Sequence, residues 1–460
     1  MSLYRKYHVP RFLLRMLLLL ILEILFLTPL FVIPHVTTQN SVLHGKFFFS
    51  GFLGCTTAAF LFLLVIIRPR TITVLKNSVS LCFLGYALAI FLSVAFSGQF
   101  SYSFKHALYV WPLVFIFLFA PVILDSPVKI RKLQILILIT GFVITAAGFL
   151  QYFGWRPINE ILRYRITEGR ARNFMISTVG NPEYLGGFLA PLVLLAGINV
   201  FQRISIVKKI LFFLLTMFFL IGLFLTGSRG PIIGLMAGGI FLLVYLYRIA
   251  NESLRRKIPI TLLVIFACIA AVVAIFSFPN PLNPRNQKIM QRFFNLANPR
   301  SESVKERILF YSIGSEMIME RPVFGKGQGM FRVEFYPALQ KLEEKDERAG
   351  VRRFITELEN RVADYTHNDY LQIWIENGTL GFLCFTLGIF LLLYHALRAL
   401  KNTRDRPGGY LTSLGFSAAL ICLLVNAAFS FPMQTPSRAV LFWILMGAVY
   451  SASLTYQTKS

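Results

Sequence analysis

The chain has 460 residues, of which 56% are hydrophobic and only 15% charged, with a formal net charge of +25. A soluble domain carries about 25% charged residues, so this composition excludes one, together with a disordered chain, a collagen and a disulfide-stapled secreted fold. Apolar runs of roughly 20 residues recur along the chain and predict an all-α polytopic membrane protein. The positive charge falls in short clusters between those runs, which records membrane orientation and not affinity for nucleic acid.

Twelve spans are predicted, at 12–33, 47–67, 79–97, 107–124, 132–152, 183–201, 207–226, 229–247, 258–278, 372–395, 409–430 and 437–456. They divide the chain into nine spans within 1–278, one large external loop with helices of its own at 279–366, and three spans within 367–460. The first span is too long for a cleaved signal and lacks a small-residue cleavage site, so it is expected to be retained. Basic clusters at Arg68/Arg70/Lys76, Lys129/Arg131/Lys132, Arg203/Lys208/Lys209, Arg248/Arg255/Arg256/Lys257 and Arg398/Lys401/Arg404/Arg406 mark the cytoplasmic loops. The short loops on the other side hold only Lys46, Lys105, Arg229 and Arg438, so both termini are expected in the cytoplasm. Cys55, Cys82, Cys268, Cys384 and Cys422 all fall in apolar segments and read as small core residues.

Two outer segments carry more charge. Residues 153–182 hold Arg156, Arg163, Arg165, Arg170 and Arg172 against two acids. An anionic ligand at the outer surface and attraction to lipid headgroups are both consistent with this. In 279–366, Pro279, Pro281 and Pro284 end the ninth span, and Val304, Ile308, Leu309, Ile313 and Met317 predict a helix over Ser303–Glu320. Gly325-Lys326-Gly327-Gln328-Gly329 reads as a turn; it follows a helix and lacks the Gly-Lys-Ser/Thr ending of a phosphate loop. Residues 338–361 read as a charged helical stretch.

Three helix starts on the outer side carry chemistry. In Thr226-Gly227-Ser228-Arg229-Gly230-Pro231, Ser228 suits an N-cap, Pro231 the first turn, and Gly230 a close backbone approach. Free N–H groups and the positive dipole end beside the Arg229 guanidinium suit an oxyanion such as a diphosphate. Asn181-Pro182-Glu183-Tyr184 opens the sixth span, with Glu183 placed to complement the dipole. Asp364-Tyr365-Thr366-His367-Asn368-Asp369-Tyr370 leads into the tenth. There His367 is the side chain able to exchange a proton near neutral pH, with Asp364 or Asp369 as orienting carboxylates. No paired carboxylates at metal-binding spacing lie near a helix start, so no metal and no cofactor are expected.

The stretches Thr226–Pro231, Arg307–Phe331 and His367–Phe382 resemble the signatures of the O-antigen ligase and O-antigen polymerase superfamily, in the same order. The resemblance implies a multi-span glycosyltransferase fold of the C type in the bacterial inner membrane, its site facing the periplasm. It implies transfer of a glycan from undecaprenyl diphosphate to lipid A–core by a ligase, or to another lipid-linked repeat by a polymerase. By position, the family's two arginines fall on Arg229 and Arg307 and its essential histidine on His367. The resemblance further implies an inverting, metal-independent reaction. In it, arginines neutralise the departing diphosphate, His367 takes or positions the acceptor hydroxyl, and Arg163, Arg165, Arg170 and Arg172 contact the acceptor or a second phosphate. A flippase of lipid-linked glycans is the rival. It needs charges lining a path through the membrane, and Glu23 is the only acid read as lying well inside a span. Transfer of a glycan to protein remains open.

Overall fold

An α-helix satisfies its own backbone groups, which lets a single apolar segment cross a bilayer, and each of the twelve predicted spans is helical. The computed structural model describes residues 11–31, 39–155, 174–249, 252–281, 283, 302–345, 363–402 and 407–457. Arg163, Arg165, Arg170 and Arg172 lie outside the described residues, as does the part of the charged stretch beyond Lys345. Among the described residues there is no strand. The helices are α1 (Arg11–Leu30), α2 (Gln39–Ile67), α3 (Ser78–Ala95), α4 (Phe100–Ile123), α5 (Pro127–Tyr152), α6 (Pro182–Gly197), α7 (Ile206–Thr226), α8 (Arg229–Ile249), α9 (Glu252–Ile275), α10 (Glu302–Glu320), α11 (Met330–Lys345), α12 (Asp369–Asn402), α13 (Pro407–Ala427) and α14 (Pro436–Gln457). Ten of them are long and apolar enough to cross a membrane: α2 to α8 and α12 to α14. Helices α1 and α9 stand where the first and ninth spans are predicted, and α10 and α11 belong to the large loop.

The bundle is built from long pairs, α12 along α3, α8 along α13, α6 along α7 and α14 along α4. Its interior is α6, α13 and α14, whose apolar stretches are 83%, 89% and 89% buried, against 33% for α8 and 28% for α12. These three central helices reach the same end of the bundle at Pro182, Ala427 and Pro436, the end where α8 and α12 also begin.

The large loop is anchored there by a break in α12. Gly378, with φ 65° and ψ −176°, is non-helical inside α12. The backbone groups freed around it are met by the glycine run: Lys326 N donates to Ile375 O (2.9 Å), Gly327 N to Glu376 O (3.0 Å), and Thr379 N to Pro322 O (2.8 Å). Gly325, Gly327 and Gly329 all have positive φ, so the predicted turn is a strap stitched onto a transmembrane helix. Helices α10 and α11 pack on each other and on α12 through Leu309, Phe310, Ile313, Met317, Phe331, Phe335 and Ile375. Lys326 pairs with Glu320 and with Glu334 (3.2 Å), which ties the strap to both loop helices.

Two expectations change. Of the described cysteines only Cys422 is buried, Cys82 and Cys384 are partly covered, and Cys55 lies on the outward surface of the bundle. A cysteine is apolar enough to face lipid, so an apolar segment does not by itself locate it in the core. Glu23 is exposed, whereas Glu376 is 1% exposed and accepts from Gln372 Nε2 (2.6 Å). Glu23 is thus not the only acid inside a predicted span: Glu376, in the short part of α12 that precedes the break, is a second, and it is buried.

A Cβ at Gly378 would stand 2.1 Å from Val323 O, and its φ is left-handed. Gly378→Ala is expected to destabilise the protein by about 1–3 kcal/mol, the usual cost of a sparsely populated backbone conformation, with the clash added. Gly98→Ala, where nothing lies within 4 Å, serves as the control. Thermal unfolding in detergent checks this, and equal midpoints for the two variants contradict it.

Candidate active site

Four helices start beside one another at this end of the bundle. Asn181 caps α6, its Oδ1 accepting from Glu183 N (2.8 Å), with Pro182 in the first turn. Gly227, at φ 62°, ends α7 and turns the chain so that α8 begins at Arg229, directly after Ser228. Asn368 caps α12, accepting from Tyr370 N (3.0 Å) and Leu371 N (3.2 Å). Pro436 opens α14. The starts of α6 and α8 touch because Gly186 has no side chain: a Cβ there would lie 2.9 Å from Thr226 Oγ1 and 3.1 Å from Ser228 Cβ. Four helix N-termini, each a positive dipole end, thus gather in one place.

Asn426, near the end of α13, stands between them. A Cβ on Gly187 would be 3.0 Å from its Nδ2, and one on Gly230 would be 3.0 Å from its Oδ1. Gly230 therefore makes room for Asn426. Asn426 is 1% exposed, and neither of its amide atoms has a partner among the described residues. A buried amide left with both its donor and its acceptor unmet is unusual, and this one adjoins the Arg229 turn.

Arg438, in the first turn of α14, is fully buried. Its Nε donates to Thr435 Oγ1 (2.7 Å), Nη1 to Ser430 Oγ (3.1 Å) and Nη2 to Phe431 O (3.2 Å). The guanidinium lies 4.5 Å from the Tyr184 ring centroid and 5.2 Å from that of Phe431. Ser430 Oγ, accepting from Arg438, donates to Glu183 Oε1 (2.5 Å). Glu183 is thus joined to α14 through a hydroxyl, beyond complementing its own helix dipole.

His367 lies against the same group. Its ring meets Phe431 edge-on at 4.7 Å and stacks on Phe310 of α10 at 6.0 Å. Its backbone has φ 59°, in the left-handed region that non-glycine residues seldom occupy. The preceding residue pins it: Thr366 N donates to Gln372 Oε1 (2.9 Å) and Thr366 Oγ1 to Asn368 O (2.7 Å). Arg307 sits one turn before Phe310 on α10, close enough to act on His367 electrostatically, as do Glu183, Glu306 and Arg438. The structure therefore gathers His367, Arg307 and Glu183, with Ser228, Arg229 and Gly230 bordering the group through Asn426.

The two aspartates point elsewhere. Asp364 pairs with Arg332 (3.0 Å). Asp369 is fully buried, its Oδ2 accepting from Met433 N (2.8 Å) while Oδ1 has no partner among the described residues. Neither is hydrogen-bonded to His367 among the described residues. Sequence reasoning missed Arg438, Asn426 and Phe431. Arg438 did leave a trace, since Thr435-Pro436-Ser437-Arg438 repeats the pattern of polar residue, proline and first-turn charge seen at Asn181-Pro182-Glu183.

Burial lowers the pKa of His367 below the usual 6.5; Glu183 and Glu306 oppose the shift, and Arg307 and Arg438 add to it. An imidazole shifted this way is neutral above its own pKa and loses its capacity to accept a proton only as pH falls through it. NMR titration of labelled imidazoles in detergent, with His367 assigned by its loss in His367→Gln, is expected to give a midpoint below 6.5. A midpoint above it contradicts the burial argument.

Residues 211–386 match a family model described as O-antigen ligase. No curated protein matches the chain. The matched segment contains Arg229, Arg307 and His367, so this part of the chain is similar to the O-antigen ligase family.

Proposed function

We propose that this chain is an O-antigen ligase of the bacterial inner membrane, moving a glycan from undecaprenyl diphosphate to a hydroxyl of lipid A–core at the periplasmic face. The observation that carries the reading is the neighbourhood of His367, where a partly buried imidazole lies within electrostatic reach of Arg307 and beside four helix starts. In the reaction, the acceptor hydroxyl attacks the anomeric carbon from the face opposite the diphosphate. The new C–O bond forms as the bond to the diphosphate oxygen breaks, with inversion, and His367 takes the hydroxyl proton. Negative charge grows on the departing diphosphate, so Arg229, Arg307, Ser228, Gly230 and the N–H groups of α8 act where stabilisation counts. The unpartnered Asn426 amide beside Gly230 adds hydrogen-bonding capacity there. Fixed guanidinium groups fill the part a divalent ion plays elsewhere, so the reaction is independent of metal. Arg163, Arg165, Arg170 and Arg172 contact the acceptor's anionic groups or a second phosphate, and Glu183, in place of the expected Asp364 or Asp369, is the carboxylate that serves the base.

A planar fork suits a diphosphate, whereas lysine supplies charge without paired hydrogen bonds. Arg229→Lys is expected to keep part of the donor affinity and lose much of the rate. Arg229→Ala should lose about 100–1000-fold in single-turnover transfer, the usual effect of removing one charge-assisted transition-state contact. His367→Ala should bind undecaprenyl diphosphate normally and stop transfer. Wild-type transfer by Arg229→Ala, or by His367→Ala, overturns the assignment of that residue, and loss of activity in EDTA restored by magnesium overturns metal independence. Deleting the protein from its host should leave core without glycan; core bearing one repeat would make it a polymerase.

Reporter fusions test the compartment. Fusions at Arg255 and Arg404 are expected to report cytoplasm and one at Lys345 the periplasm; a cytoplasmic signal at Lys345 removes the periplasmic site.

A further inference from the structure

Arg229 and Arg307 are partly covered, whereas Arg438 has no exposed surface at all. A cation that substrate cannot reach does not grip a diphosphate. Its three donor nitrogens are instead directed at the short segment between α13 and α14, on Ser430 Oγ, Phe431 O and Thr435 Oγ1. Two side chains of the site are set by that segment. With its oxygen held by Arg438, the Ser430 hydroxyl must turn its proton away, and it turns to Glu183 Oε1. With its carbonyl held, Phe431 presents its ring edge to His367 at 4.7 Å, while Tyr365 stacks on it at 4.8 Å and Tyr184 meets it edge-on at 5.6 Å.

We propose that Arg438 is a positioning residue of the active site: through Ser430 it sets the Glu183 carboxylate, and through Phe431 the His367 ring, so that the base faces the acceptor hydroxyl in one orientation with its compensating carboxylate beside it. This rests on the reading of His367 as the base. Of the other nearby carboxylates, Asp364 is engaged by Arg332 and Asp369 by the Met433 N–H, while Glu306 of α10 acts on the ring from the loop side and is untouched by Arg438's hydrogen bonds. The charged groups acting on His367 are Glu183 from α6, Glu306 and Arg307 from α10, and Arg438 from α14. When His367 takes the acceptor's proton it becomes an imidazolium, and Glu183 is placed to stabilise that charge. Before the proton moves, Arg438 opposes early protonation of the ring. The two groups thus act on the base in opposite directions through one hydroxyl and one ring.

The test uses the full chain in detergent with Arg438→Gln, Ser430→Ala, Glu183→Gln and His367→Ala. Folded yield, binding of undecaprenyl diphosphate, single-turnover transfer from the host's extracted lipid-linked glycan, and the pH–rate profile are measured for each. Arg438→Gln, Ser430→Ala and Glu183→Gln should keep affinity for undecaprenyl diphosphate and lose roughly 100-fold in transfer, the scale of a misplaced catalytic group. Removing the carboxylate should move the acid limb to lower pH, and removing the guanidinium should move it to higher pH. Ser430→Ala, which leaves both charges in place, should slow transfer with the smallest displacement of the limb. A merely structural role lowers yield without these opposite displacements. Folded Ser430→Ala and Glu183→Gln transferring at the wild-type rate overturn the proposal, and they decide it even where Arg438→Gln fails to fold. Limbs moving in the same direction in Arg438→Gln and Glu183→Gln overturn it too. His367→Ala separates the two readings. If it transfers at the wild-type rate the base itself is lost, whereas an inactive His367→Ala beside normal behaviour of the other three overturns the role of Arg438 alone.

Discussion

A fully buried guanidinium at one end of an apolar helix bundle is the constraint around which this end of the protein is arranged. Taking such a charge out of water costs several kcal/mol unless its donors are met and a counter-charge stands near. Arg438 meets that demand with Thr435, Ser430 and the Phe431 carbonyl, with two aromatic faces, and with Glu183 one hydroxyl away. Every one of those groups sits at or next to the start of a helix or in the link between α13 and α14. Satisfying the cation therefore fixes how α6, α13 and α14 end relative to one another. His367, lying on Phe431, inherits the result.

The second organising feature is the broken helix. Opening α12 at Gly378 exposes backbone groups that lipid cannot satisfy, so they must be paired within the protein. The glycine strap does this, and by doing so it fastens the loop helices α10 and α11 over the beginning of α12. Phe310 and Arg307 come to His367 by this route. One side of the site is thus built on the three most buried helices, and the other on a segment held to the bundle by a few backbone hydrogen bonds and a small apolar cluster. The first side suits a fixed geometry for charge stabilisation. The second covers the His367 ring through Phe310 and carries Arg307.

The left-handed backbone of His367 fits the same division. Thr366 and Asn368 are committed on either side of it, one to Gln372 and the other to capping α12. The residue between them has little freedom left, and its strained φ is maintained by neighbours that are each satisfied.

Hydropathy alone decided that this is an all-helical membrane protein, because a span of about 20 apolar residues leaves few alternatives. The helix starts at Asn181-Pro182 and Ser228-Arg229 were also legible, since capping and proline placement are local matters, and the three motifs carried the resemblance to the O-antigen ligase superfamily. The chain's tertiary structure decided the rest. Arg438 reads in the sequence as one charge in a short loop, like Lys105, because burial of a side chain depends on which helices surround it. Asn426 and Phe431 read as ordinary residues at the end of a span; their roles follow from the meeting of α6, α8 and α14, which no periodicity encodes. Gly325–Gly329 looks like a turn because the partner that explains its three positive φ angles, the break at Gly378, lies some fifty residues further on. Local chemistry is written in consecutive residues, whereas the pairing of distant backbone groups and the burial of a charge are settled only when the helices pack.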